Sequence, residues 1–242
     1  MTLPPKWKLI AFLLPFTLLA NSTPPQWNLY PSYYRHLHRM PKSLSSHIFF
    51  KANTTEKVVA LTFDDGPLVK TAKLLRFLHA HHTPATFFLL APQLSAAKAR
   101  RYDDPLFEVG LHSYHHYDFR KLSPKRVNRE LDHALKVFAK YDLHPRYFRP
   151  PYGMVSSTLL NALTQRHLQT ILWSIDSQDW NHYRGQKYLH NILTTLTPGS
   201  IILMHDQSES LKTLEKLLEG IRAKGYRIVP LNTLVRMGSL VP

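Results

Sequence analysis

The feature that most constrains the fold is a regular alternation of short apolar segments with amphipathic segments of helical period. Strand-like runs such as VVALTF, ATFFLL and SIILMH alternate with helix-like runs such as VKTAKLLRFLHAHH and SLKTLEKLLEGIRAK. Strands separated by helices of this length require right-handed crossovers and therefore a parallel sheet. With about seven such units, the sequence predicts an α/β fold, a distorted (β/α)7-type barrel that forms a single domain.

The same pattern predicts individual elements along the chain. LQTILWSID, residues 168–176, reads as one strand, and YRIVPL, residues 226–231, reads as the last strand. Ser123 and Pro124 predict the start of a long helix, because serine is a good N-cap and proline is tolerated in the first turn.

The first 20 residues have the pattern of a targeting segment. Lys6 and Lys8 precede LIAFLLPFTLLA, an apolar stretch of 12 residues that ends at Ala20. This is typical of a secretory signal, whereas a spanning helix needs about 20 apolar residues. We interpret residues 1–20 as a signal peptide or an N-terminal membrane anchor, with a buried helix as the alternative. An extracytoplasmic location follows: secreted, periplasmic or anchored in the cell envelope.

Residues 21–56 read as a basic arm rich in proline and aromatic residues, because Glu56 is the first acidic residue of the chain. The predicted barrel domain spans residues 57–237, and residues 238–242 form a tail. The net charge of +15 favours an anionic partner, such as the cell envelope or a membrane surface. No nucleic-acid-binding motif accompanies the charge, so nucleic acid is not expected. The absence of cysteine excludes disulfides and thiolate metal sites.

Polar side chains follow the predicted strands at the point where each strand ends. In a parallel barrel the carboxyl ends of the strands meet at one face, where chemistry collects. Turn formation alone would explain a single Asp-Asp-Gly-Pro sequence. The complete set instead predicts one cavity, and its members are Asp64, Asp65, His112, His116, Arg149, Asp176, Asp179 and His205.

One carboxylate with two imidazoles can bind a metal ion and leave positions open for water and substrate. His112 and His116 are weak evidence by spacing alone, because the chain contains 15 histidines. The same triad also serves iron oxygenases. An acid and a base beside the ion, in a chain predicted to be exported, favour hydrolysis.

Five motifs carry a resemblance to a known family. TFDDGP, HSYHH, RPPYG, DSQDW and LMH, in this order, resemble the motif series of the polysaccharide deacetylase family, carbohydrate esterase family 4. This family includes chitin and peptidoglycan deacetylases, and the resemblance runs from about Val58 to Leu234. It implies metal-dependent removal of N-acetyl groups from an amino-sugar polymer, with peptidoglycan expected because that polymer is anionic. An O-acetyl-sugar esterase, for example on acetylxylan, and a silent envelope glycan-binding protein are the alternatives.

The resemblance also implies roles for the paired carboxylates. Asp64 matches the general base, and Asp65 matches a ligand of one divalent ion, zinc or alternatively cobalt. His112 and His116 match the other two ligands. His115 lies between them and could compete for the ion, but the spacing of His116 fits the family. Adjacent side chains on extended backbone point in opposite directions, so one carboxylate would bind the ion and the other would face the water.

The remaining roles come from the same resemblance. His205 matches the general acid, Arg149 would hold Asp64 ionised, and Asp179 would support His205. Leu111 stands where the family usually has asparagine, which removes a side chain expected to orient the site. Asp176 is expected either to support a neighbouring site residue or to be structural. Three residues match substrate-binding positions. Tyr152 would bind through its backbone N–H, and the other two, Trp180 and Leu203, would line the pocket for the acetyl group.

Overall fold

A computed structural model describes residues 42–181, 185–206 and 210–239 of the protein. The predicted leader, most of the basic arm and the last residues of the tail lie outside these ranges. No helix within them is both long enough and apolar enough to cross a membrane.

The described residues form short strands and mostly amphipathic helices. The strands are β1 Ile48–Phe49, β2 Val58–Gly66, β3 Ala85–Leu89, β4 Phe107–Leu111, β5 Tyr147–Phe148, β6 Gln169–Ile171, β7 Ile175–Asp176, β8 Ser200–His205 and β9 Arg227–Ile228. The helices are α1 Lys42–Ser45, α2 Thr71–Ala80, α3 Ala96–Ala99, α4 Pro124–Lys140, α5 Ser157–Thr164, α6 Gln186–Thr195, α7 Leu211–Ala223 and α8 Leu231–Arg236.

The strands form one sheet in the order β1-β6-β5-β4-β3-β2-β8-β7, and β9 pairs with β2. All of these pairings are parallel, as the alternation of strands and helices predicts. β2 pairs with both β3 and β8, and its register places Asp64 opposite Phe88 on one side and His205 on the other. Two predicted site residues, Asp64 and His205, are therefore neighbours across the sheet.

The prediction of one continuous strand over residues 168–176 is wrong. Its first part, β6, pairs with β1 and β5, whereas its last part, β7, pairs with β8. Because β6 and β7 lie near opposite ends of the strand order, this one segment brings the two ends of the sheet together. The curled half-barrel that results confirms the predicted α/β, (β/α)7-type class.

Two other boundaries differ from the sequence prediction. Only residues 227–228 of YRIVPL form a strand, and helix α8 follows Pro230, whose φ of −55° suits a helix entrance. Part of the predicted basic arm also enters the sheet, because β1 pairs with β6. Lys51 then bridges to Ser200 at the start of β8.

The period-two alternation of β2 separates two apolar layers. Leu61 and Phe63 pack against the surrounding helices, while Ala60 belongs to the cluster inside the barrel. Thr62 and Asp64 share the inward face with Ala60. Polar side chains therefore replace apolar ones toward the carboxyl end of the barrel interior, which is where the candidate site lies.

Candidate active site

The two adjacent carboxylates converge because the strand geometry breaks between them. Asp65 has a φ of 70°, and the pairing of β2 with β3 shifts register between Asp64 and Gly66. Aspartate tolerates this left-handed conformation better than most residues. As a result, the Nε2 atom of His112 lies 3.8 Å from Asp64 Oδ2 and 3.5 Å from Asp65 Oδ1. The opposed directions of an extended strand do not apply at this turn.

Asp65, His112 and His116 form a candidate metal centre. Asp65 Oδ1 lies 3.5 Å from His112 Nε2 and 3.4 Å from His116 Nε2, and the ligand atoms lie within 4.8 Å of one another. Ligands about 2.0–2.1 Å from a tetrahedral zinc ion are separated by roughly 3.4 Å. Asp65 Oδ1 is also buried and has no hydrogen-bond partner. Its lone pairs therefore fit a cation, and the three residues can hold one divalent ion.

The imidazole of His112 is oriented for this task by the protein backbone. Its Nδ1 atom lies 2.8 Å from the carbonyl oxygen of Arg149, which accepts the ring proton and leaves Nε2 unprotonated. Burial lowers the pKa of His112 to about 3, so the ring is neutral. The side chain at position 111 is a leucine in the apolar core, but the Arg149 carbonyl supplies the orienting contact.

His115 is directed away from the centre by a buried carboxylate on α4. Glu130 Oε1 lies 2.7 Å from His115 Nδ1, and Glu130 Oε2 accepts the His115 backbone N–H at 3.0 Å. This double contact fixes the loop between the two histidine ligands and leaves His116 as the second imidazole of the centre. The sequence analysis did not identify Glu130. Its position on the buried face of α4, between Val127 and Leu131, was the available signal.

We expect Glu130→Ala to lower the metal affinity of the protein by roughly 10- to 100-fold, because the loop that carries His116 loses its anchor. Zinc affinity measured by chelator competition tests this. Asp132→Ala is the matched control, because it removes an exposed carboxylate from the same helix. Equal affinities of the Glu130→Ala variant and the wild type would show that the loop keeps its position without the anchor.

Arg149 is fully buried and holds the inner carboxylate. Its Nη1 donates to Asp64 Oδ1 at 2.8 Å and to Thr62 Oγ1 at 2.8 Å. Burial raises the pKa of Asp64 above its ordinary value, and the charge of Arg149 opposes this rise without cancelling it. The sequence analysis missed Thr62, which links the guanidinium to the barrel wall.

Arg149 also donates hydrogen bonds to the backbone at the break between β6 and β7. Its Nε and Nη2 donate to the carbonyl oxygens of Ile171 and Leu172 at 3.4 and 3.2 Å. The guanidinium lies 4.1 Å from the ring centroid of Phe88 and 5.6 Å from that of Trp173. One side chain therefore satisfies backbone groups of the interrupted segment and the carboxylate beside the metal centre.

His205 and Asp179 form a second ion pair on the other side of Asp64. The His205 Nδ1 atom lies 2.6 Å from Asp179 Oδ1, and Asp179 Oδ2 accepts the His205 backbone N–H at 2.7 Å. Burial alone would lower the pKa of His205, but the hydrogen bond and charge of Asp179 outweigh it and raise this pKa to about 9. The imidazole is therefore protonated at neutral pH and can donate a proton.

The three predicted substrate-binding residues lie at different depths. Tyr152 and Trp180 are 60% and 49% exposed, and the Tyr152 ring centroid lies 4.7 Å from that of His116. Leu203 is buried, two residues before His205 on the same strand face. Asp176 accepts the indole N–H of Trp180 at 3.2 Å, so it positions this ring. An aromatic rim above a polar floor suits a sugar polymer.

The fold and site define an α/β barrel with a carboxylate–imidazole centre between the buried carboxylate of Asp64 and the protonated imidazole of His205. A family model described as polysaccharide deacetylase matches residues 51–171, half of the chain. The peptidoglycan-N-acetylglucosamine deacetylase of Bacillus cereus is 32% identical over 187 residues, which cover 73% of this chain and 67% of that protein. The peptidoglycan-N-acetylmuramic acid deacetylase PdaA of Bacillus subtilis is 31% identical over 202 residues, covering 77% and 74%. The chain belongs to the polysaccharide deacetylase family, carbohydrate esterase family 4.

A solved structure gives the same fold. A CE4 family pseudoenzyme from Bacillus anthracis superimposes with a TM-score of 0.72 at 25% identity, and the match covers 78% of this chain and 68% of that one. Since the fold also occurs in a pseudoenzyme, activity depends on the side chains of the site.

Proposed function

We propose that the protein is an extracytoplasmic, metal-dependent N-deacetylase that releases acetate from an acetylated amino-sugar polymer, most specifically peptidoglycan. The observation that carries the proposal is the convergence of three potential ligands with Asp64 and His205, which have partners that suit a base and an acid. The activities named for the Bacillus relatives support the polymer. The basic composition and the leader-like N-terminus support the location.

A divalent ion held by Asp65, His112 and His116, zinc or alternatively cobalt, would polarise the acetyl carbonyl and lower the pKa of a water from about 15.7 toward 7. Asp64 accepts a proton from the attacking water, and its raised pKa makes it a stronger base. The backbone N–H of Tyr152 would stabilise the oxyanion. His205 then donates its proton to the departing amine.

Two rivals keep the same site. An esterase acting on O-acetyl sugars could use the same base and oxyanion donor. A silent glycan-binding protein is the other rival, and the pseudoenzyme neighbour is its specific support. Intact Asp64 and His205, each with its charged partner, favour an active enzyme over the silent protein.

Acetate release by metal-stripped protein, measured with and without added Zn²⁺ or Co²⁺, distinguishes between these functions. We expect metal-restored acetate release from peptidoglycan and a smaller release from chitin oligomers. Acetylxylan in parallel tests the esterase, and release from acetylxylan alone would replace the N-deacetylase. A bound ion without release from any of the three polymers would favour the silent protein.

The alkaline limit of activity should follow the pKa of His205. A general acid must be protonated, so we expect kcat/KM to fall as pH rises through about 9. Asp179→Asn removes the charge that raises this pKa, while burial still lowers it. The alkaline limb of the kcat/KM profile should therefore move to a lower pH by roughly 1–2 units. A pH profile on a soluble oligomer measures this. If the alkaline limb were unchanged in Asp179→Asn, the fall in kcat/KM would belong to the titration of a group other than His205.

A further inference from the structure

One face of α4 carries basic side chains along its whole length. Lys125, Arg126, Arg129, His133, Lys136 and Lys140 are all exposed. At 3.6 residues per turn these positions fall within about 100° of the helix circumference, and they extend over roughly 22 Å at 1.5 Å per residue. We call these six residues the cationic stripe. The opposite face of α4 is buried in the core through Val127, Leu131, Ala134 and Phe138.

The stripe is not neutralised by neighbouring acids. Within the described ranges, no carboxylate forms an ion pair with any of its six residues. Asp132 lies at its edge but pairs with Arg166 at 2.7 Å. On α7, by contrast, Lys212 and Lys216 alternate with Glu215 and Glu219. An ordinary solvated face is mixed in this way, and the stripe is not.

The stripe begins beside the candidate active site. The guanidinium of Arg126 lies 5.5 Å from the ring centroid of Tyr117, and Tyr117 directly follows His116. The Tyr117 ring stacks on His115 at 5.1 Å between centroids. Arg126, in the first turn of α4, therefore contacts the residue that directly follows the candidate ligand His116.

We propose that the cationic stripe binds a linear polyanion, a chain with regularly placed carboxylate or phosphate groups, and so holds the acetylated polymer along α4. The narrow, straight row matches a single strand. The large exposed apolar side chains in the described ranges are Val69, Tyr117, Tyr152 and Trp180, and of these Tyr117 alone contacts the stripe, at its Arg126 end. The rest of the stripe has no large exposed apolar side chain that could insert into a lipid surface. Only the placement of this polyanion in the cell wall rests on the proposed function.

Fluorescence anisotropy of labelled poly-L-glutamate and of labelled polyphosphate with the full chain tests the surface. The stripe variant carries Lys125→Gln, Arg129→Gln, Lys136→Gln and Lys140→Gln and retains Arg126. The matched control removes the same charge elsewhere through Lys73→Gln, Lys212→Gln, Lys216→Gln and Lys224→Gln. We expect the stripe variant to bind about tenfold or more weakly at low salt and the control less than about twofold, with wild-type binding falling as salt rises.

Equal losses in both variants would reduce the effect to net charge and overturn the proposal, as would no wild-type binding of either polyanion. Tighter wild-type binding to phosphatidylglycerol vesicles or to duplex DNA than to the polymers would replace the partner. Acetate release from short N-acetylated oligomers should be equal in the stripe variant and the wild type. If no protein releases acetate, the proposed function fails while the binding result stands.

Discussion

Asp64→Asn is expected to reduce acetate release by roughly 10²- to 10⁴-fold, the usual contribution of a general base. The amide cannot accept the proton, yet it keeps the shape of the carboxylate beside Arg149. Asp64 Oδ2 lies 3.8 Å from His112 Nε2, and His112 is held by the Arg149 carbonyl and not by Asp64. Zinc affinity should therefore change little.

The neighbouring carboxylate supplies the matched variant. Asp65→Asn changes the same functional group one residue away, but it weakens a ligand instead of a base. We expect the Asp65→Asn protein to lose zinc affinity and to regain some activity at high zinc, whereas added zinc should not rescue Asp64→Asn. Chelator competition and acetate release on the same samples measure both effects. If the two variants behaved alike, the division of labour between Asp64 and Asp65 would be wrong.

Arg149→Met is expected to lower the free energy of unfolding by about 3–5 kcal/mol, because it leaves the buried Asp64 without its cation. The variant also removes the donors to Ile171 and Leu172. Adding Asp64→Leu should recover part of the loss, since an apolar pair replaces the ion pair. Urea unfolding of the metal-free wild-type, single-variant and double-variant proteins gives the free energies of unfolding for a double-mutant cycle.

The remaining deficit of the double variant measures the contribution of Arg149 to the break between β6 and β7. A double variant as unstable as Arg149→Met would mean that the backbone contacts dominate. Full recovery would assign the whole effect to the pair with Asp64. A single variant as stable as the wild type would contradict the role given to Arg149.

The sequence predicted the parallel α/β fold because the alternation of strand and helix patterns is local. It did not predict the break within residues 168–176, because that segment contains neither glycine nor proline. Arg149, more than 20 positions earlier in the chain, donates hydrogen bonds to the carbonyl groups at this break. Interruptions that are stabilised by a distant side chain leave no mark on the local pattern.

The same limit applies to the site. The position of polar residues at the carboxyl ends of strands predicted the candidate ligands, base and acid, because this position can be read from each strand separately. Glu130 was missed because its partner, His115, lies on another element. The positive φ of Asp65 was missed because it is a property of the backbone.

The register between β2 and β8 also bears on folding and chain completion. The contact between Thr62 Oγ1 and the Ile202 carbonyl joins residues 140 positions apart, so it can form only after β8 has been synthesised. All three candidate ligands precede residue 117, whereas His205, the proposed proton donor, belongs to β8. A chain interrupted before β8 would contain the candidate ion ligands and lack the proposed donor that completes a turnover.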